Sequence, residues 1–193
     1  MPLYGSHHMR AVSLALILAA LPASAAEPAI DFPGTPSAPS PSGAWIATYT
    51  QVAPDNTYPF RFSAQDAKGA ELAGLNFMRS IDGAWGPGDV LYVNNRLASN
   101  VADCLMMTAA DGKFAFSSLS ASLDNPQSIP ADADWIRPSK MAKDTHFYLT
   151  CEKWSKDDGI DVVIDGHVDY AGKPFHYLLR YDLARGTFTF RSE

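Results

Sequence analysis

Cysteine is nearly absent from this chain, with only Cys104 and Cys151 among 193 residues, so at most one disulfide can form. Positive charge is also scarce. Fifteen Lys and Arg stand against 21 Asp and Glu, a formal net charge of −6. That balance argues against a general nucleic-acid binder, which needs a basic surface. It would suit a basic protein partner. The longest apolar run, residues 11–21, is too short to span a bilayer comfortably. Helical periodicity is missing beyond that run, apart from a possible single turn around residues 136–142. Catalytic signatures are missing too. There is no Gly-x-Ser-x-Gly elbow, no His-Glu-x-x-His, no phosphate loop and no dinucleotide fingerprint. The obvious grounds for proposing an enzyme are thereby removed.

What remains is ordered along the chain. Residues 1–8 read as an expression scar ahead of a start at Met9-Arg10, so His7 and His8 carry no functional weight. Residues 9–25 read as a signal peptide. Arg10 supplies the positive region, residues 11–21 the apolar region, and Ala23-Ser24-Ala25 a small-x-small cleavage site. Export to the periplasm is the expected localisation, with no membrane attachment after cleavage. In an oxidising compartment Cys104 and Cys151 are expected to pair. They would close a loop of roughly 46 residues, which chain entropy values at about 4 kcal/mol. The rival, a free catalytic Cys, has no evident His or helix N-terminus to activate it.

Residues 26–42 are rich in Pro, Ser, Ala and Gly, and read as a mobile leader or extended strap. From residue 43 to residue 193 a single all-β domain is expected. Its strands fall into three groups: 44–50, 59–64 and 71–77; then 85–93, 102–108 and 113–119; then 146–154, 160–170, 174–183 and 187–191. Each group ends in a hairpin with an Asp cap and a Gly at the left-handed position: Asp66 with Gly69, Asp111 with Gly112, and Asp182 with Gly186. The stretch Ser-Pro-Ser-Gly-Ala-Trp at residues 40–45 reads as a turn feeding a strand. Its phrasing resembles blade openings in TolB-like proteins and prolyl oligopeptidases. A propeller needs at least four blades of about 40–45 residues each, so three groups cannot close a ring. The expected fold is all-β, an incomplete propeller-like arrangement of about three antiparallel sheets. A β-sandwich is the alternative.

Three places carry candidate chemistry. With a two-residue Ala171-Gly172 loop, Tyr170 faces Lys173, His167 faces His176 and Asp165 faces Leu178. His167, His176, Asp165 and Asp169 then share a face, which suits either zinc or a plain His–Asp hydrogen bond. No third firm ligand is fixed by spacing, so no metal and no other cofactor is assigned. Asp157-Asp158-Gly159-Ile-Asp161 resembles part of a calcium loop but lacks its distant Glu, and reads better as a tight turn. In residues 114–126, four serines alternate with small and apolar residues as a strand runs into a long connection. Their hydroxyls suit either a narrow cleft and a catalytic imidazole or their own backbone.

On the Ser-Pro-Ser-Gly-Ala-Trp stretch, on Phe-Ser-Ser-Leu-Ser at residues 116–120 and on the overall layout, the chain resembles a family. It is similar to the periplasmic immunity proteins that neutralise type VI secreted peptidoglycan amidases, in particular Pseudomonas-type antitoxins of a Cys–His amidase. The resemblance implies an all-β antitoxin with no catalytic residues of its own. Its partner would be the cognate amidase. A loop would insert serine side chains into the substrate groove against the catalytic dyad, and the matching positions are Ser117 and Ser118. Cys104 and Cys151 would bracket and stiffen that loop. The alternatives are a periplasmic propeller-like binding or adaptor module with another protein partner, and a hydrolase or metal enzyme using His167, His176 and Asp165.

Overall fold

The structure is a computed structural model that describes residues 28–52, 58–110, 113–142, 145–157, 159–168 and 174–191. The scar, the signal peptide, the Asp111-Gly112 hairpin tip, Asp158 and the segment 169–173 lie outside the described residues. Among those described, thirteen strands run in order. They are β1 (Ala29–Asp31), β2 (Ser37–Pro39), β3 (Trp45–Gln51), β4 (Phe60–Asp66), β5 (Glu71–Phe77), β6 (Ile81–Trp85) and β7 (Leu91–Arg96). β8 (Val101–Ala110), β9 (Lys113–Ser118), β10 (Thr145–Trp154), β11 (Gly159–Val168), β12 (Pro174–Asp182) and β13 (Thr187–Phe190) follow. One short helix, α1 (Leu119–Asp124), comes after β9, and 3-10 turns occupy Ala131–Ile136 and Pro138–Lys140. No helix among the described residues is long and apolar enough to cross a membrane.

The all-β class holds, but the strands form two sheets where the sequence leads one to expect three. β2-β3-β4-β5 make a four-stranded meander. The other nine strands form one sheet in the order β1-β6-β7-β8-β10-β11-β12-β13, with β9 also on β8. The second and third strand groups merge because β8 forks. From Leu105 onward its outer edge pairs antiparallel with β9. At Val101 and Ala102 the same edge pairs parallel with Phe147 and Tyr148 of β10. That two-residue contact is reached through α1 and the 3-10 turns, the long connection a parallel pair requires. It also makes the sheet mixed, where only antiparallel pairing was expected.

Two cores follow from strand alternation. One lies against the four-stranded sheet and holds Ala47, Phe62 and Phe77 with Trp85, Leu91, Val93 and Met107. The other gathers Tyr92, Cys104 and Met106 with Leu149, Cys151, Ile164 and Leu179. Leu119 and Leu123 of α1, four residues apart on one face, fill it from the connection. Each is fully buried, which is worth about 1.5–3 kcal/mol. A helix of six residues with two apolar positions leaves too short a pattern to read from sequence, which is why α1 was not expected there.

The proline-rich leader is an extended strap with two strands. β1 pairs with β6 on the edge of the large sheet, and β2 pairs with β3 on the small one. Ile30 and Ala38 are buried, and the Trp85 indole donates to the Ala38 carbonyl at 2.9 Å. The turn after the strap forms as its residues demand: Gly43 takes φ +73° and its N–H donates to the Ser40 carbonyl at 2.9 Å. Ser42 anchors this turn by donating its N–H and hydroxyl to Asp89, between β6 and β7. Two of the Asp–Gly hairpins also form as read. Asp66 accepts from the N–H groups of Lys68 and Ala70, and Asp182 from that of Arg185. Gly69 and Gly186 take positive φ.

Candidate functional site

The fork in β8 places the candidate serines. Asp103 and Cys104 sit where β9 and β10 part, so neither strand fills that edge. β9 ends there at Ser118, which becomes the N-cap of α1 with extended backbone at φ −79° and ψ 128°. Its hydroxyl accepts from the Ala121 N–H at 3.0 Å and donates to Asp103 Oδ2 at 2.6 Å. Asp103, itself buried, accepts a second hydrogen bond from the Ser120 N–H at 3.1 Å. Ser118 and Ser120 hydroxyls lie 3.0 Å apart, and the Ser122 hydroxyl donates to the Ser118 carbonyl at 3.1 Å. Ser122 also hydrogen-bonds Tyr181, easing the rise that burial gives that phenol. Three of the four serines thus serve their own chain, the local competition with backbone typical of hydroxyl residues.

Ser117 differs. It is exposed, and among the described residues its hydroxyl has one hydrogen-bond contact, a long 3.4 Å one with the Met106 carbonyl. Such a bond is weak, so this hydroxyl is available to another molecule. The two residues carried by the family resemblance therefore stand side by side in different states. Ser118 is fixed, and Ser117 is presented beside it. Two residues on, Ser120 lines a groove of about 300 Å³ together with Leu97, Val101, Pro138, Met141 and Phe147. Leu97 is half exposed there.

Cys104 and Cys151 form a disulfide with Cα atoms 5.8 Å apart. It crosses the gap that the fork opens between β8 and β10. Asn94 of β7 closes the same gap with its side chain. Its amide donates to the Cys151 carbonyl at 2.8 Å and accepts from the Cys151 N–H at 2.8 Å. One amide thereby replaces a missing rung of the strand ladder. Asp103, the holder of Ser118, is the residue next to Cys104. The disulfide and the serine junction are thus one mechanical unit.

The histidine hairpin differs from expectation in register. Asp165 lies opposite His176, and His167 opposite Pro174. The pairing is offset by two residues from the one that an Ala171-Gly172 loop would set, and Val163 rather than Asp165 faces Leu178. A two-residue offset keeps every side chain on its face. Asp165 and His176 therefore still meet, with His176 Nδ1 2.6 Å from Asp165 Oδ1. The His167 ring lies 4.2 Å, centroid to centroid, from that of His146 on β10, a neighbour the spacing argument did not include. No cluster of three or more His, Cys, Asp or Glu able to hold a metal occurs among the described residues.

At the turn that resembled a calcium loop, the acidic side chains point to cations of this chain. Asp161 is 1% exposed, with Arg180 Nη2 at 3.0 Å, Arg191 Nη1 at 3.0 Å and Lys153 Nζ at 3.8 Å. Asp157 accepts from Ser155 at 2.6 Å and pairs with Arg180 at 3.2 Å, and these contacts hold its carboxyl below the usual range. Two of the acidic positions of the resembled loop, Asp157 and Asp161, are therefore engaged in salt bridges.

The sequence reading missed a polar cleft of about 290 Å³ on the opposite side of the fork. Asp82, Asn94, Arg96, Ala102, Tyr148 and Thr150 line it. With Asp165 of β11, its residues come from five strands that only the β8–β10 contact brings together, so no local spacing could have announced it. No protein family, curated protein or solved structure matches this chain.

Proposed function

We propose that this protein is a periplasmic immunity protein that binds and occludes the active site of a type VI secreted peptidoglycan amidase, protecting the producing cell's wall. The reading rests on the resemblance of Phe-Ser-Ser-Leu-Ser and Ser-Pro-Ser-Gly-Ala-Trp to that family. The observation that carries it furthest is the exposed Ser117 hydroxyl beside a Ser118 locked by Asp103 and α1. An inhibitor gains affinity when its contact residues are ordered before binding, because less entropy is lost on association. Ser117 enters the groove of the amidase and hydrogen-bonds the catalytic imidazole. It thereby takes the place of the substrate carbonyl, and it offers no scissile amide at that point. The apolar groove beyond Ser120 widens the contact surface. In this reading the strand groups are blade-like units of an open arc, whose free edges and connections meet the partner.

The test is a titration of peptidoglycan hydrolysis by a type VI secreted Cys–His amidase, sought among the products of the genes next to this one. The parent protein should inhibit stoichiometrically. Ser117→Arg, which disturbs no cap, should abolish inhibition while leaving the unfolding midpoint unchanged. If that variant inhibits as well as the parent, the serine junction is not the inhibitory element. If the parent itself does not inhibit or bind the amidase, the immunity reading falls.

A further inference from the structure

Three charged residues line the polar cleft beside the β8–β10 contact, and two of them, of opposite sign, have no oppositely charged partner among the described residues. Asp82 of β6 and Arg96 of β7 both line it. Asp82 accepts one hydrogen bond, from the Asn94 amide at 2.7 Å, and among the described residues no cation pairs with it. Arg96 lies over the Tyr148 ring, with its guanidinium carbon 5.6 Å from the centroid, and no carboxylate among the described residues pairs with it. Asp165 of β11 also lines the cleft, but it is already paired with His176. Asp161 of the same strand has Arg180, Arg191 and Lys153.

The cleft also has room. Ala102 stands between Arg96 and Tyr148 in the strand ladder, and its single methyl lines the cleft beside the two longer side chains. The Tyr148 hydroxyl is fixed by donating to the Ser99 carbonyl at 2.7 Å, so the ring is a steady wall. The volume of about 290 Å³ suits a molecule of amino-acid size.

We propose that this cleft binds a small zwitterion, an amino acid whose ammonium is held by Asp82 and whose carboxylate is held by Arg96. The guanidinium fork matches a carboxylate in two hydrogen bonds, and a carboxylate accepts readily from an ammonium. Thr150 supplies a neutral polar atom on the same wall. The setting of Asp82 agrees. Although the residue is exposed, partial desolvation by its neighbours and, less, the nearby Asp31 push its carboxyl above the ordinary range, and a bound ammonium would reverse that. The inference stands apart from the immunity reading, because none of these residues belongs to the serine junction.

The experiment is isothermal titration of the disulfide-bonded protein with L-alanine, with diaminopimelate, and with a tripeptide ending in a diamino acid. The last arm separates a peptide source from a free amino acid. Methylamine and acetate, which each carry one of the two charges, are the controls. At least one zwitterion should bind saturably, with each single-charge control about tenfold or more weaker. Asp82→Asn and Arg96→Gln should each weaken binding by about tenfold or more. Ala102→Leu should fill the space and abolish it. The proposal is overturned if no zwitterion gives a saturable heat up to about 10 mM. It is also overturned if the controls bind equally well, or if the Asp82 and Arg96 variants, shown folded by their unfolding midpoints, bind undiminished.

Discussion

Removing the Cys104–Cys151 bond should lower stability mainly through the unfolded chain. The cysteines are 47 positions apart, and closing a loop of that length is worth about 4 kcal/mol at 25 °C. The folded state has other means of holding the same place. The Asn94 amide keeps both hydrogen bonds to the Cys151 backbone, and both cysteines lie in a fully packed core. A protein with ordinary stability of about 5–15 kcal/mol therefore stays folded without the bond. For a chain of this size the loss corresponds to a fall in Tm of roughly 8–16 °C. The assay is urea unfolding of the parent and of Cys104→Ala/Cys151→Ala, followed by tryptophan fluorescence and near-UV circular dichroism. The reduced parent serves as a control for the lost sulfur volume. The midpoint should drop while the native spectrum persists without urea. A loss below about 1 kcal/mol would refute the loop argument. Collapse of the near-UV signal in the absence of denaturant would refute the structural role given to Asn94.

Ser118→Ala should cost about 1–3 kcal/mol in urea unfolding, since it removes a helix cap and leaves the buried Asp103 short of a donor. Ser117→Ala, at an exposed position, should stay within about 0.5 kcal/mol in the same measurement. Asp161→Ala should cost about 3–5 kcal/mol, because it leaves Arg180, Arg191 and Lys153 facing one another around an empty buried position. A cost near zero by chemical denaturation would show that this cluster is solvated. Packed neighbours partly desolvate the Asp82 carboxyl, exposed though it is, and raise it, so the folded state holds its proton to higher pH than the unfolded chain does. Stability from this group is therefore full below the unfolded value near about 3.9, and is lost as pH rises through the folded value. Asp82→Asn should remove that decline, and unfolding midpoints across the acidic range, compared with the parent, measure it.

Local rules carried much of the fold in the sequence. Asp66 with Gly69 and Asp182 with Gly186 could be read as hairpins because capping and positive φ are decided within a few residues. The turn at Gly43 and the strand from Trp45 were legible for the same reason. The pairing of Cys104 with Cys151 needed only the count of two and the inferred compartment. What escaped is set at a distance. The contact of Val101 and Ala102 with Phe147 and Tyr148 depends on how the intervening connection packs, and it turns three expected sheets into two. The face shared by Asp165 and His176 was legible because alternation survives an even shift, whereas the register was not. Of the candidate site, the serines could be picked out by type and spacing. That Ser118 is spent on Asp103 and α1 while Ser117 is left over follows from the fork in β8, which no local pattern encodes.

The strap of β1 and β2 has a consequence for synthesis. Its residues are made before any strand they pair with: Ala38 must await Ala47, and Ala29 must await Ala84. From the emergence of β6 until β1 docks, the outer side of β6 is an open template, on which a strand from a neighbouring chain can be accepted. The strap is thus made ahead of every strand it covers, a guard strand that each molecule carries for itself. Crowded synthesis is the circumstance in which it matters most, since a neighbour's strand then competes with the chain's own for the same edge.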